Sequence, residues 1–187
     1  PLIIVHGGRL REGETDRVDG LPVTTAARTA FDLGRWLTTA AAVPRIDALM
    51  NATGVTVGEI AAVAATHRGA RGLRTLSQSL SLVDGGAESP YESMTRMLLV
   101  QNGFPRPETQ IPVPRPDGYS HYFLDMGWRD VMVAVEYDGE HHRVDRNTYR
   151  ADLVRSEYIA HSGWRRIRVV AGHRGTDIVR RVRQAWP

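Results

Sequence analysis

The succession of apolar and polar positions divides the chain into two regions. Over roughly the first 87 residues it reads as mainly helical, after an irregular or extended lead-in that includes the turn-rich stretch REGETDRVDG. Ala-rich TTAARTAFDLGRWLTTAAAV and then PRIDALMNAT are helical by composition, and Thr56 with Glu59 forms a capping box that opens TVGEIAAVAATH. A further helix, ARGLRTLSQSLSLV, stops at Asp84, Gly85 and Gly86. Those glycines mark the boundary, so the domains are expected over residues 1–87 and 88–187.

The pattern then changes. Ser89-Pro90-Tyr91-Glu92 supplies an N-cap serine, a proline at the first helical position and a glutamate at the third, predicting a helix that runs to Asn102-Gly103. ETQIPVPR follows as a short strand that Pro112 and Pro114 confine to a sheet edge or to a non-bonded register. HYFLDMGW and VMVAVEYD are the next two strands, separated by a turn at Trp128, Arg129 and Asp130. The apolar run Val131 to Val135 suits burial on both faces, which places this pair at the sheet centre. Residues 146–162 form a long helix ending at Gly163, WRRIRVV a fourth strand, and TDIVRRVRQAW a basic amphipathic helix. The predicted class is α/β (α+β), with the order α-β-β-β-α-β-α after the helical region.

Composition removes several kinds of chemistry. None of the 187 residues is cysteine, which excludes a disulfide framework, a thiolate zinc site and a cysteine nucleophile. Nowhere do ~18 apolar residues run together, and PLIIVHGGRL lacks the form of a signal peptide, so no membrane partner and a cytoplasmic location are expected. All 24 basic residues are arginine, and every mechanism that needs a lysine is excluded. The net charge of +3 hides a segregation: residues 1–88 hold nine arginines and nine acids, residues 117–140 six acids against Arg129, and residues 143–187 eleven arginines against four acids. Those segments carry 0, −5 and +7. Pairing across solvated surfaces accounts for such a pattern, and so does a carboxylate metal site beside a phosphate-binding surface.

The acids fall at chemically informative places. Asp125 lies late in the second strand, and Glu136 and Asp138 end the third, two residues apart and so on one face. Adjacent strands bring Asp125 and Glu136 within a few ångströms, where two carboxylates either raise one pKa or bind a hard cation such as Mg²⁺. Glu92, or the backbone carbonyl of Tyr137, supplies a third contribution. Each acid also has an ordinary structural reading: Glu92 as a capping glutamate, Asp125 as the acceptor of a turn amide, Asp138-Gly139 as a turn pair. Glu136, directly after VMVAV, has no such reading.

The stretch VAVEYDGEHHRVDRNTYRADLVRSEYIAHSGWRRIRVV, with SPYE, NGFPRPETQ and FLDMGW before it, resembles a family of actinobacterial endonuclease-domain proteins. These are similar to the very-short-patch mismatch-repair endonuclease and belong to the PD-(D/E)XK superfamily. The resemblance covers residues 88–187, and GLPVTTAARTAFDLGR is similar to the helical region that precedes the domain in many members. An abortive-infection antitoxin-like winged helix often comes first in them; none is visible here, which is expected of a fragment or a short member.

The resemblance implies a restriction-endonuclease-like α-β-β-β-α-β core that cuts DNA with Mg²⁺ or Mn²⁺. It makes Asp125 and Glu136 the metal-binding acids and Glu92 the helix glutamate near the metal. The motif's lysine position is Asp138, which cannot stabilise phosphorane-like charge but is suited to orienting water or holding a second metal. The repair branch also lacks that lysine and is thought to use histidine, which directs attention to His141 and His142 as base or leaving-group acid. Arg143, Arg146, Arg166, Arg168, Arg180, Arg181 and Arg183 are the expected nucleic-acid contacts, whereas Arg150 and Arg155 are expected to pair with Asp152 or the C-terminal acids. Trp128 or Trp164 could stack on a base or wedge a duplex, but a tryptophan beside a strand is more often a core residue. The rival expectations are a catalytically inactive binding or regulatory module of a toxin–antitoxin or defence system, and a protein-interaction partner whose acidic and basic segments join in a homodimer.

Overall fold

The computed structural model describes residues 5–139 and 146–187, the side chains of 146–149 excepted. The chain forms two compact units, residues 1–85 and 86–187, and the glycine pair falls at their boundary.

The first unit begins with a hairpin, β1 (Thr15–Val18) and β2 (Leu21–Thr24), paired antiparallel with Val18 opposite Leu21. The stretch expected to be irregular or extended therefore contains a short sheet. Its turn is Asp19-Gly20, with φ of 51° and 79°, the positive pair that a type I′ turn demands and that Asp-Gly tolerates. Four helices follow: α1 (Ala26–Trp36), α2 (Thr39–Thr53), α3 (Val57–Thr66) and α4 (Leu73–Leu80). The expected Ala-rich helix breaks at Leu37 and Thr38 rather than before Pro44, which lies buried inside α2. The missing proline N–H removes one helical bond, and burial of Ala42, Val43 and Ile46 around it offsets that loss. The Thr56–Glu59 capping box is formed as expected.

The second unit is a mixed four-stranded sheet of order β3-β4-β5-β6, with β3 (Glu108–Pro114), β4 (His121–Trp128), β5 (Val133–Asp138) and β6 (Arg165–Val170). The first two pairings are antiparallel and the last is parallel. Helix α5 (Pro90–Gln101) precedes the sheet, α6 (Arg146–His161) connects β5 to β6, and α7 (Gly175–Ala185) ends the unit. The prolines do place β3 at an edge, and β4 and β5 are central. The turn between those two takes in Arg129 to Met132, with Met132 at φ 53°, so β5 starts two residues later than the apolar run implies.

Each face of the sheet has its own core. Leu99 of α5 and Ile178 and Val182 of α7 pack with Met126, Trp128, Val133, Val135, Ile167 and Val169. Ile159 of α6 and Trp164 pack with Ile111, Val113, Leu124 and Ala134. Both tryptophans are core residues, and the Trp128 indole donates to the Pro105 carbonyl at 2.9 Å.

Candidate functional site

Residues two apart on an ideal strand share a face, yet Met126 belongs to the α5/α7 core and Leu124 to the α6 core. The change of face falls at Asp125. Continuing the β3–β4 register sets it opposite Gln110, whose φ is 49°. On the other side, the β4–β5 ladder stops at Met126↔Val135. One step further would set Asp125 opposite Glu136, and there the Asp125 carboxylate replaces the ladder: its Oδ2 accepts the Tyr137 amide at 2.7 Å. The two expected strand acids thus meet where β4 leaves β5.

Burial pushes the Asp125 carboxyl up to about 7, the negative charges of Glu92 and Glu136 push the same way, and the Tyr137 amide and Arg155 oppose them. Glu92 is buried in the first turn of α5. Its Oε2 accepts the Glu88 amide at 2.9 Å, and its own N–H donates to the N-cap Ser89 Oγ at 3.2 Å. Glu92 therefore ties down the start of α5, through the Glu88 amide rather than the N-cap amide of a capping box, and adds negative charge beside Asp125. Tyr91 stacks on Tyr137, ring centroids 4.5 Å apart, which ties the start of α5 to the end of β5.

Glu136 is 5% exposed and lies between two arginines. Arg155 of α6 donates from Nη2 to Oε1 at 2.6 Å, and Arg166 of β6 places Nη1 2.9 Å from Oε2. The Arg166 contact is an ion pair rather than an aligned hydrogen bond, since Nη1 makes none. Arg155 also donates to the Phe123 carbonyl at 2.8 Å. Asp138 stands 4.0 Å from Arg168, whose Nη2 pairs with Asp152.

These pairings change several expected assignments. Arg166 belongs to the interior: its side chain is 11% exposed and spent on Glu136 and Ser156. Arg168 pairs with Asp152 and stands near Asp138 while its side chain remains 39% exposed. Arg155 pairs with Glu136, not with Asp152. The signal for this is legible in retrospect: acids at 136 and 138 on β5 match arginines at 166 and 168 on its parallel neighbour, the same alternation on the same face. Arg180 and Arg183 of α7 are exposed, but Arg181 is partly buried and donates to the Arg168 carbonyl at 2.8 Å. Arg146 begins α6, its side chain outside the described residues, and His141, His142 and Arg143 lie outside them altogether. Among the described residues no three His, Asp or Glu side chains surround one point suited to a metal ion.

The chain is similar to two Mycobacterium tuberculosis proteins, the uncharacterized protein MT2308 of strain CDC 1551 / Oshkosh and the uncharacterized protein Rv2248 of strain H37Rv. Each is 30% identical over 171 residues, a span that takes in 90% of this chain and 61% of the relative's length. No family model and no solved structure matches. Among the described residues no single helix is long and apolar enough to cross a membrane.

Proposed function

We propose that the second unit is a metal-dependent endonuclease that hydrolyses phosphodiester bonds of DNA on a restriction-endonuclease-like α-β-β-β-α-β core. The observation that carries this reading is the meeting of Asp125 and Glu136 where β4 leaves β5, with Glu92 of α5 contributing to the same field. A buried and a half-buried carboxylate so placed fit Mg²⁺ or Mn²⁺, which take one or two protein carboxylates and complete their shell with water and substrate phosphate. Bound there, such a cation polarises the scissile phosphate and lowers the pKa of a water.

The chain's own residues do the rest. Glu92 raises the negative field at Asp125 while holding the first turn of α5. The Tyr137 amide fixes the Asp125 carboxylate. Arg166 stays behind Glu136, and Arg155, the more exposed of its two partners at 27%, is the guanidinium that a DNA phosphate draws forward. Arginine supplies charge and bidentate donors there but no base, since it stays protonated. His141 and His142 are the candidates for proton transfer near neutrality.

A second reading, a nuclease fold kept as a non-cleaving DNA-binding or regulatory module, draws on the two arginines already neutralising Glu136 and on Asp138 in the lysine position. Incubation of supercoiled and linear DNA with Mg²⁺, Mn²⁺ or chelator separates the two. Cleavage that needs the metal and falls at least ~100-fold in Asp125→Asn and Glu136→Gln is expected. Cleavage that persists in both variants sinks the site, and salt-sensitive binding without cleavage favours the second reading.

A further inference from the structure

The N-terminal unit contains a cavity of about 690 Å³ between the segment around Gly8, helix α1 and the residues that follow α3. Its lining includes Arg9, Arg11, Arg28, Arg35 and Arg68 with Phe31, and no acid.

Two of these arginines are held rigidly from behind. Asp32 accepts Arg28 Nε at 2.8 Å with one oxygen and Arg35 Nε at 2.7 Å with the other. Arg28 Nη1 is taken by Glu14 and by the Arg9 carbonyl at 2.9 Å. Both guanidinium groups lie over the Phe31 ring, 5.5 and 5.2 Å from its centroid. A guanidinium carries five N–H donors in a planar fork, so the Nη2 edge of each remains to be satisfied. Those two edges converge: a methyl group on Gly8 would lie 3.3 Å from Arg28 Nη2 and 3.5 Å from Arg35 Nη2. No acceptor among the described residues takes either nitrogen. Glu14 is shared with His67, whose Nε2 lies 2.6 Å from its second oxygen. Five guanidinium groups therefore face two carboxylates, both turned away from the open space, and guanidinium groups crowded in this way repel one another until an anion joins them.

We propose that this cavity binds the phosphate group of a phosphorylated ligand. Arg28 and Arg35 are its fixed donors, and the exposed Arg9, Arg11 and Arg68 close around it. Paired planar forks suit phosphate oxygens better than a point-charge donor would. The volume lies in the range of small-molecule sites and exceeds what a bare phosphate fills, which leaves room for an organic group beside it. The proposal does not depend on the nuclease reading, since its residues all belong to the first unit.

The test is calorimetric titration of the full chain with inorganic pyrophosphate, a nucleoside diphosphate, the same nucleoside without phosphate, and a short DNA oligonucleotide ending in 5′-hydroxyl. The variants are Arg9→Gln/Arg68→Gln, at two exposed positions where the fold uses only the Arg9 backbone carbonyl and a 3.3 Å bond from Arg68 Nε to the Ala65 carbonyl, and Gly8→Ala, which puts a methyl group between the two Nη2 atoms with every charge left in place. The expected result is binding of pyrophosphate and nucleoside diphosphate, none of the nucleoside, and a weakening of roughly tenfold or more in both variants with unchanged circular dichroism. If the oligonucleotide also binds and is weakened by the same variants, the phosphate is that of nucleic acid; if it does not, the ligand is a small phosphorylated molecule. Absence of binding by every phosphate probe, equal binding of nucleoside and nucleoside diphosphate, or full affinity in both variants would overturn the proposal.

Discussion

Asp125→Asn isolates the energetic cost of the acid cluster. The side chain keeps its shape and an oxygen to accept the Tyr137 amide, and it loses the charge. An ordinary aspartate titrates near 3.8 and this one near 7, a difference worth about 4 kcal/mol by linkage. Because Asp125 is only half-buried, about 2–4 kcal/mol is the working figure. Below pH 3.8 the folded and unfolded chains both carry the proton, and substitution changes little. Between there and pH 7 the folded state holds a proton that the unfolded state has released, so wild-type stability falls as pH rises. Above pH 7 the whole cost is present. Asp125→Asn is therefore expected to be nearly neutral close to pH 4 and stabilising above pH 7, raising the melting temperature of the second unit by about 10 °C. Thermal and urea melts from pH 4 to 8.5 in chelator, read as the difference between variant and wild type, measure this directly. A gain that is absent at pH 8, or equally large at pH 4, refutes the reasoning. Adding Mg²⁺ at pH 8 should stabilise the wild type and leave the variant unmoved.

Three other outcomes follow from the geometry. Arg166→Gln removes the better-buried partner of Glu136 and should cost about 3 kcal/mol in urea denaturation, against about 1 kcal/mol for the more exposed Arg155→Gln; the reverse order would mean that Arg155 carries the pair. Gly127→Ala drives a methyl group to 2.5 Å from the Val133 carbonyl oxygen, so the β4–β5 pairing must shift and the second unit should lose at least about 2 kcal/mol; an unaltered melting curve would contradict that packing. Arg180→Gln and Arg183→Gln should each flatten the salt dependence of DNA binding by about one ion, while Arg181→Gln, whose guanidinium holds the Arg168 carbonyl, should lower stability as well; an unchanged slope in the first two removes α7 from the interface.

The local grammar of the chain was readable wherever chemistry acts over three or four residues. Ser89-Pro90 with Glu92 announced α5, Thr56 with Glu59 announced α3, the prolines of IPVP set β3 at the edge, and VMVAV marked a central strand. The order of elements in the second unit, and the convergence of Asp125 with Glu136, came from the same reading, because strand period and hairpin order leave little freedom. The hairpin at Asp19-Gly20 had its signal in a turn-favouring dipeptide, but its strands lack the alternating apolar residues that would have declared them. What the acids are bonded to depended on distant chain. Arg155 comes from a helix and Arg166 from a strand beyond it, and only the parallel pairing of β5 with β6 and the packing of α6 decide that both point at Glu136. The absence of lysine was plain in the composition; that Arg155 and Arg166 supply the positive charge beside Glu136 was decided by the tertiary structure, because charge compensation in a low-dielectric interior is set by proximity in space and not along the chain.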